Sequence, residues 1–140
     1  MIVYFWLLVD RCSVCNRTKR TVLGDDVEVA AGSWRRLKGL LGRPVEEFIE
    51  GKGLLIVPSQ GVHTLGMSFP IDAAYIDRNG RVIHVCHQLA PFRIAALKLK
   101  SRSVLELPAG TLARTLTEVG DVLEIKRIAA DGGGECDTVD

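Results

Sequence analysis

Residues 61–77 read GVHTLGMSFPIDAAYID, a polar segment that runs directly into an apolar β-strand. The segment contains His63, Thr64 and Met67, and Asp72 stands at the start of the strand between apolar neighbours. A polar or ionisable group that leads into a buried strand needs a partner, because burying it without one costs free energy. The rest of the chain is therefore predicted to be organised around this stretch.

The sequence on both sides of this stretch is typical of β-structure, because short aliphatic runs are separated by turn-forming residues. Strands are predicted at Met1–Val9, Thr21–Leu23, Val27–Ala30, Leu54–Val57, Ile71–Asp77, Arg81–Leu89, Val104–Leu107 and Asp121–Arg127. Long helices do not alternate with these strands, which disfavours a βαβ architecture. The predicted fold class is mainly β, a mostly antiparallel sandwich or barrel with one or two short helices in a single domain.

The predicted helices are short. Ser33 offers an N-cap oxygen, and apolar residues follow it at helical spacing, so a helix is predicted at Trp34–Leu41. Pro44 is suited to the first turn of a helix, so a second helical turn could begin there. A further turn of helix fits within Ala109–Thr117. Asp10–Lys19 is polar and is predicted to be a turn or loop, with a partly extended segment as the alternative.

The turn at residues 77–80, DRNG, decides the register of a predicted hairpin and can be interpreted in two ways. A two-residue Asn-Gly turn would pair Arg78 with Arg81. A longer turn, with its glycine in the left-handed bulge position, would instead pair Asp77 with Arg81. The longer turn is favoured because it places opposite charges, rather than two arginines, across the hairpin.

The register matters for Asp72, because a slip of one residue moves a side chain to the other face of the sheet. With the two-residue turn, Asp72 falls opposite His87. With the favoured longer turn, Asp72 shares a face with His84 and Cys86.

Length and composition indicate one soluble globular domain, with 140 residues, 47% of them hydrophobic and 25% charged. Residues 1–128 are predicted to form this domain, and residues 129–140 to be a disordered, acidic, glycine-rich tail. The net charge is +1, but the tail holds four of the 17 acidic residues and no Lys or Arg, so the domain itself is mildly basic. This positive charge is smaller than that typical of a nucleic-acid-binding domain, and no nucleic-acid partner is expected.

The apolar run Ile2–Val9 has eight residues, whereas a membrane helix needs ~20. It lacks the basic flank and the small-residue cleavage site of a signal peptide. We therefore interpret it as a strand and expect a cytoplasmic protein with no membrane span. The alternative is a start site that omits an export signal.

Several motifs identify the chain as similar to one family. They are R-x-x-GLLGR at residues 36–43, GLLI-x-P at 53–58, HT-x-x-M-x-FPID at 63–72, IDRNGRV at 76–82, VLELPAG at 104–110 and GD-x-LEI at 120–125. Together they resemble the bacterial and archaeal family known as domain of unknown function 192. The resemblance implies a β-sandwich-like domain with small helical additions and no established activity. Many relatives carry an export signal or a lipoprotein anchor, which is not expected here.

The candidate functional surface includes His63, Thr64, Met67 and Asp72, which could line a small-molecule or peptide pocket. His63 would act as a hydrogen-bond donor or base, and Asp72 as an orienting carboxylate. Glu106 lies on another apolar strand and adds a second carboxylate. A histidine and two carboxylates that converge would suit general acid–base catalysis.

A structural interpretation of these residues is favoured, because buried polar groups are normally satisfied for structural reasons. Each would connect a loop to the sheet by bonding backbone N–H groups or an arginine. Arg36 and Arg43 are the expected partners, since guanidinium is the usual partner of a buried carboxylate. Together with Arg35 and Lys38, they could instead hold a phosphate or an acidic partner, although a solvated face is the default for such a run.

Cys12 and Cys15 have half of the spacing of a zinc site or a redox pair. Any further zinc ligands would have to be brought close by the fold, from Cys86, His84, His87 or Cys136. Reduced, unliganded thiols are expected, and no metal or cofactor is predicted.

The leading functional hypothesis is a non-enzymatic binding or accessory module that recognises a protein or small-molecule partner through the surface around His63–Asp72. No complete nucleophile, phosphate-loop or zinc-protease motif is present in the sequence. The alternatives are a small hydrolase or isomerase that uses His63 with Asp72 and Glu106, and a metal or redox role for Cys12 and Cys15. The sequence does not specify an oligomeric state.

Overall fold

The computed structural model describes residues 11–30 and 42–128. Within them lie the strands β1 (Arg11–Asn16), β2 (Thr21–Ala30), β3 (Gly51–Ile56), β4 (Ile71–Ile76), β5 (Val82–Leu89), β6 (Ser103–Pro108) and β7 (Leu123–Arg127). A 3-10 turn at Val45–Glu47 and a short helix, α1 (Thr111–Arg114), complete the regular structure of this part. The predicted mainly β fold class is confirmed. None of the helices in these two ranges is long and apolar enough to cross a membrane.

The strands form one curled sheet in the order β5-β4-β6-β3-β2-β1-β7. Neighbours are antiparallel except β2 and β3, which are parallel. The two outer strands meet at one end, where the Leu123 N–H donates to the Gly80 carbonyl and the Val82 N–H to the Asp121 carbonyl, both at 2.8 Å. The sheet is therefore a half-barrel.

The inner core fills the concave side of the half-barrel. All seven strands contribute buried residues to it, which are Cys12, Val14, Leu23, Val27, Val29, Leu55, Ala74, Ile76, Val82, Leu105, Leu107 and Leu123, with Val57 and Leu112 from the connections. Where a strand contributes neighbouring core residues, as in β1, β2, β4 and β6, they follow the two-residue period of a pleated sheet.

An outer cluster lies on the opposite face of the neighbouring strands β3, β6 and β4 and includes the end of β2. Its strand residues are Ala30, Leu54, Ile56, Ile71, Ala73, Tyr75 and Val104. Phe48, Val62, Met67 and Phe69 cover them from the connecting segments, and the rings of Phe48 and Phe69 lie 5.8 Å apart between centroids. The segment that precedes β4 also contains polar residues, but its apolar side chains Val62, Met67 and Phe69 form a layer over the sheet.

The hairpin turn between β4 and β5 has the favoured longer form. The Asp77 N–H donates to the Arg81 carbonyl at 2.9 Å, and Gly80 has a left-handed φ of 82°. The Asp77 carboxylate accepts from the Asn79 and Arg81 N–H groups, which closes the turn.

The faces predicted for the hairpin are wrong, because a bulge follows the turn. The pairing slips by one residue, so that Tyr75 pairs with His84 and Ala73 with Cys86. Asp72 therefore does not share a face with His84 and Cys86. The His84 ring packs edge-on against Tyr75 instead, with ring centroids 5.0 Å apart.

Two further predictions of secondary structure are corrected. Arg11–Asn16 is the strand β1, so the extended alternative for the segment Asp10–Lys19 is correct there and the favoured loop is wrong; its polar Ser13 and Asn16 are fully buried. Gly24–Asp26, predicted as a turn between two short strands, is an irregularity within the single strand β2. The predicted strand at Met1–Val9, the helix at Trp34–Leu41 and the acidic tail lie outside the described residues.

We expect Gly80→Ala to destabilise the protein by about 2–3 kcal/mol, because two costs add there. A left-handed φ is unfavourable for alanine, and a Cβ at this position would lie 2.9 Å from the Leu123 carbonyl oxygen. The matched control is Gly120→Ala, where φ is +99° and a Cβ would meet no atom within 4 Å. Urea denaturation should show a loss of about 1 kcal/mol for the control. Equal losses in the two variants would contradict the steric part of this explanation.

Candidate functional site

Asp72 is fully buried and accepts three hydrogen bonds from backbone N–H groups. Its Oδ1 receives the Gln88 N–H at 2.8 Å, and its Oδ2 receives those of Gly110 at 3.1 Å and Leu112 at 2.9 Å. Gln88 has a left-handed φ of 50° at a bulge in β5, and Gly110 precedes α1. The carboxylate therefore holds β4, β5 and the start of α1 together.

Glu106 is buried in an apolar environment, with 4% of its surface exposed. It pairs with Leu54 on β3 and Ala73 on β4, and so it lies on the face of the outer cluster. Within residues 11–30 and 42–128, no group forms a hydrogen bond or an ion pair with its carboxyl. Burial raises the pKa of Glu106 to about 8, so the carboxyl is protonated at neutral pH.

The sheet separates the two carboxyl groups. Asp72 pairs with Leu107, and its neighbour Ala73 pairs with Glu106. Successive residues of a strand point to opposite faces, so the side chains of Asp72 and Glu106 lie on different sides of the sheet. The predicted convergence of His63 with these two carboxyl groups is not present in this structure.

Two adjacent loops cover the outer cluster: the 59–70 loop and the 90–100 loop. Thr64 is fully buried and joins them. Its hydroxyl donates to the Ala90 carbonyl at 2.5 Å and accepts the Arg93 N–H at 2.9 Å. The predicted role of Thr64 as a residue that ties a loop to the rest of the fold agrees with these contacts.

The pairing of the two loops continues along their length. His63 and Ile94 form an isolated β-bridge. Further backbone hydrogen bonds join Phe92 to Thr64, Ala95 to Val62 and Lys98 to Gln60. The Tyr75 hydroxyl donates to the Ala96 carbonyl at 2.7 Å and fixes the 90–100 loop to the sheet. The two loops thus have a defined conformation.

The predicted site residues of the 59–70 loop divide between core and surface. Met67 belongs to the outer cluster and is 5% exposed. His63 is exposed, and its Nδ1 accepts the Leu65 N–H at 3.3 Å. Of the three residues predicted in this loop, His63 is therefore the one that a partner can reach.

Five large apolar side chains on the two loops are exposed, and one of them, Ile94, belongs to the residue that is bridged to His63. The exposed fractions are 43% for Leu65, 64% for Phe92, 77% for Ile94, 67% for Leu97 and 75% for Leu99. We call these five residues the apolar patch. They are the functional candidates that the sequence-based hypothesis missed. Their signal in the sequence is the run FRIAALKLK at residues 92–100, in which apolar residues alternate with cations.

Arg43, one of the two predicted arginine partners, does not pair with a buried carboxylate. It bonds the partly exposed carboxylate of Glu28 on β2, at 2.9 and 3.4 Å. The prediction that Arg43 pairs with Asp72 or Glu106 is therefore wrong. Arg36 lies outside the described residues.

Cys12 and Cys15 do not form a redox pair with each other. Cys12 is a free, buried thiol, and burial raises its pKa to about 12. Cys15 forms a disulfide, and since Cys12 and Cys86 are free, neither is its partner. The prediction of a reduced thiol is correct for Cys12 and wrong for Cys15. The described ranges hold no group of three His, Cys, Asp or Glu side chains arranged for a metal ion.

A family model matches residues 14–125 of the chain, most of its length. The family is domain of unknown function 192, described as "Uncharacterized ACR". No curated protein matches the chain.

Two crystal structures resemble the fold. One is a protein of unknown function from Novosphingobium aromaticivorans DSM 12444, with a TM-score of 0.70, 22% identity, and coverage of 83% of this chain and 84% of the other. The second is a protein of Sinorhizobium meliloti 1021, described as a proposed transcription regulator, with a TM-score of 0.67, 25% identity, and coverage of 82% and 92%. These similarities support the fold described above.

Proposed function

The chain belongs to the family of domain of unknown function 192, and from this premise we propose that it is a binding module whose contact surface is the apolar patch together with His63. The observation that carries the proposal is the exposure of five large apolar side chains on two adjoining loops. Single exposed apolar residues are ordinary on soluble proteins, but several large ones on two adjoining loops are typical of an interaction site.

The backbone under the patch supports this proposal, because its conformation is fixed before binding. Thr64 and Tyr75 hold the two loops by side-chain hydrogen bonds to the carbonyls of Ala90 and Ala96. A preorganised surface loses little conformational entropy when it binds a partner. The backbone that carries the exposed apolar side chains therefore needs no rearrangement before they contact a partner.

The buried polar residues support a structural rather than a chemical role for the sheet beneath. Asp72 accepts three backbone N–H groups on one face, and Glu106 is enclosed by apolar residues on the other.

A hydrolase or isomerase that uses Glu106 as a general acid is the second candidate function. The pKa of Glu106, raised to about 8 by burial, favours it, since a general acid must be protonated near its working pH.

The proposal predicts that position 94 is in contact with a partner in the cell. We expect a photo-crosslinking amino acid at Ile94 to give a discrete crosslinked product when the full chain is irradiated in its native cells. Ile94 is the most exposed large apolar residue of the patch, at 77%. The product should be resolved by mass and tested for lipid and for protein.

The matched control is the same crosslinker at Val119, which is 56% exposed and lies in the turn before β7, outside both loops. Little product is expected there. Equal labelling from the two positions would contradict a contact surface on the apolar patch.

A further inference from the structure

The two loops that carry the apolar patch contain cations and no Asp or Glu. Arg93 and Lys98 lie between apolar residues of the patch in the sequence, and Lys100 follows Leu99. From residue 78 to residue 105 the sequence has six Lys or Arg residues and no Asp or Glu. No carboxylate of the described residues forms an ion pair with these three cations. The surface is therefore both apolar and cationic.

The apolar side chains of the patch protrude rather than line a groove. Ile94 and Leu99 are 77% and 75% exposed, although the backbone of their loop is hydrogen-bonded to the 59–70 loop. Protruding side chains need a matching pocket on a folded protein partner. The boundary between the headgroups and acyl chains of a bilayer accepts them without a pocket, and lysine stems can extend their charges to the headgroups.

We propose that the partner of the apolar patch is an anionic lipid surface, an inference that rests on the proposed binding function. Phe92, Ile94 and Leu99 enter the boundary between headgroups and acyl chains, and Arg93, Lys98 and Lys100 contact lipid phosphates. The apolar area supplies the insertion, and the cations select for negative lipids.

A nucleic acid would use only half of this surface. Its phosphates would match the cations, but a duplex offers no apolar layer for Ile94, Leu97 and Leu99, whose exposure would then have no role. A lipid surface uses the cationic and the apolar residues together, and it is therefore the better match.

The test is sedimentation of the purified full chain with vesicles. One set contains phosphatidylcholine alone, and the second replaces about one third of it with anionic phosphatidylglycerol. We expect binding to the mixed vesicles that weakens as salt is added, and at least tenfold weaker binding to phosphatidylcholine alone. A separate arm measures binding of the chain to duplex DNA at the same salt concentrations.

Two variants separate the contributions of charge and apolar area. Replacing Arg93, Lys98 and Lys100 by Gln should weaken binding to the mixed vesicles about a hundredfold, since each cation near the surface contributes about 1 kcal/mol, which is about fivefold in affinity. The double change Ile94→Ser and Leu99→Ser should weaken it at least tenfold, because it removes inserted apolar surface.

The control variants make the same kinds of change one at a time and away from the patch. Arg127→Gln and Val119→Ser alter an exposed cation and an exposed apolar residue elsewhere, and they should bind as the parent does. Thermal denaturation of every variant should show that each is folded, because all the changes are at partly or fully exposed positions.

The outcomes distinguish this inference from the proposed function. Failure to bind the mixed vesicles, or stronger binding to duplex DNA than to vesicles, overturns the lipid inference. If the crosslinker at Ile94 then yields a protein adduct, the binding function stands with a different partner. If it yields no more product than the crosslinker at Val119, the proposed function falls as well.

Discussion

Asp72→Ala should unfold the protein or reduce its free energy of unfolding by about 4 kcal/mol or more. The carboxylate accepts the N–H groups of Gln88, Gly110 and Leu112, and alanine would leave all three without their acceptor. Each buried donor that loses its partner costs roughly 1–3 kcal/mol. A typical domain is stable by only about 5–15 kcal/mol, so this one substitution removes a large part of the total.

The measurement is urea denaturation, with Asp72→Asn and Asp77→Ala as comparisons. Asparagine keeps one acceptor oxygen and should lie between the parent and the alanine variant. Asp77 also accepts two backbone N–H groups, but at an exposed turn where water can replace it, so its loss should cost about 1 kcal/mol. A loss for Asp72→Ala no larger than that for Asp77→Ala would show that the three bonds to the buried carboxylate do not hold the fold.

The strands with a regular aliphatic pattern could be predicted from sequence, and the corrections come from positions where tertiary contacts override local chemistry. β1 contains Ser13 and Asn16, which are typical of a loop. Asn16 is nevertheless buried, because its amide donates to Asp121 at 2.8 Å and to Thr117 at 3.1 Å, more than a hundred positions along the chain. No local pattern reports such distant partners.

The register of the β4–β5 hairpin shows a second limit. The turn at Asp77–Gly80 follows from its residue types, because only glycine readily takes the left-handed position. The bulge beyond it has no comparable signature, since Tyr75 and His84 are both acceptable in either pairing. One bulge reverses every face beyond it, and a correct turn therefore gave wrong partners for Asp72.

The candidate site was predicted in part for a related reason. Thr64, Met67 and Asp72 were candidates because they lie in a segment with polar residues that runs into an apolar strand. The structure buries all three. Residues 92–100 look like an ordinary amphipathic segment, and only the structure shows that their apolar side chains face outward. Burial is a property of the whole fold, and it decides which residues a partner can reach.

Stability should fall as the pH rises from about 5 to about 9, because of Glu106. Its pKa is about 8 in the folded chain, against an ordinary value of 4.5. Between these values the folded state keeps a proton that the unfolded state releases, so stability decreases with rising pH. The contribution is fully present below about 4.5 and is lost as the pH passes through about 8; its size is on the order of 3–5 kcal/mol.

Glu106→Gln should remove most of this pH dependence, because the amide has nearly the shape of the protonated acid and does not titrate. The comparison is urea denaturation of the parent and the variant at several pH values between 5 and 9, roughly the span between the two pKa values. His84 also titrates here. Burial and Lys98 lower its pKa, so its contribution grows with pH and is common to both proteins. The exposed Glu47→Gln serves as the control and should follow the parent curve.

Glu106→Leu tests whether burial of the ionised carboxyl is what lowers the free energy of unfolding at high pH. Leucine fits the apolar face that Glu106 shares with Leu54 and Ala73, so we expect the variant to be more stable than the parent at pH 9, where the parent must bury a charge. A parent whose stability does not change between pH 5 and pH 9 would show that the carboxyl finds a partner on ionisation. The outer face of the sheet would then contain an ionised group, and the general-acid role of Glu106, which depends on a proton retained at neutral pH, would lose its support.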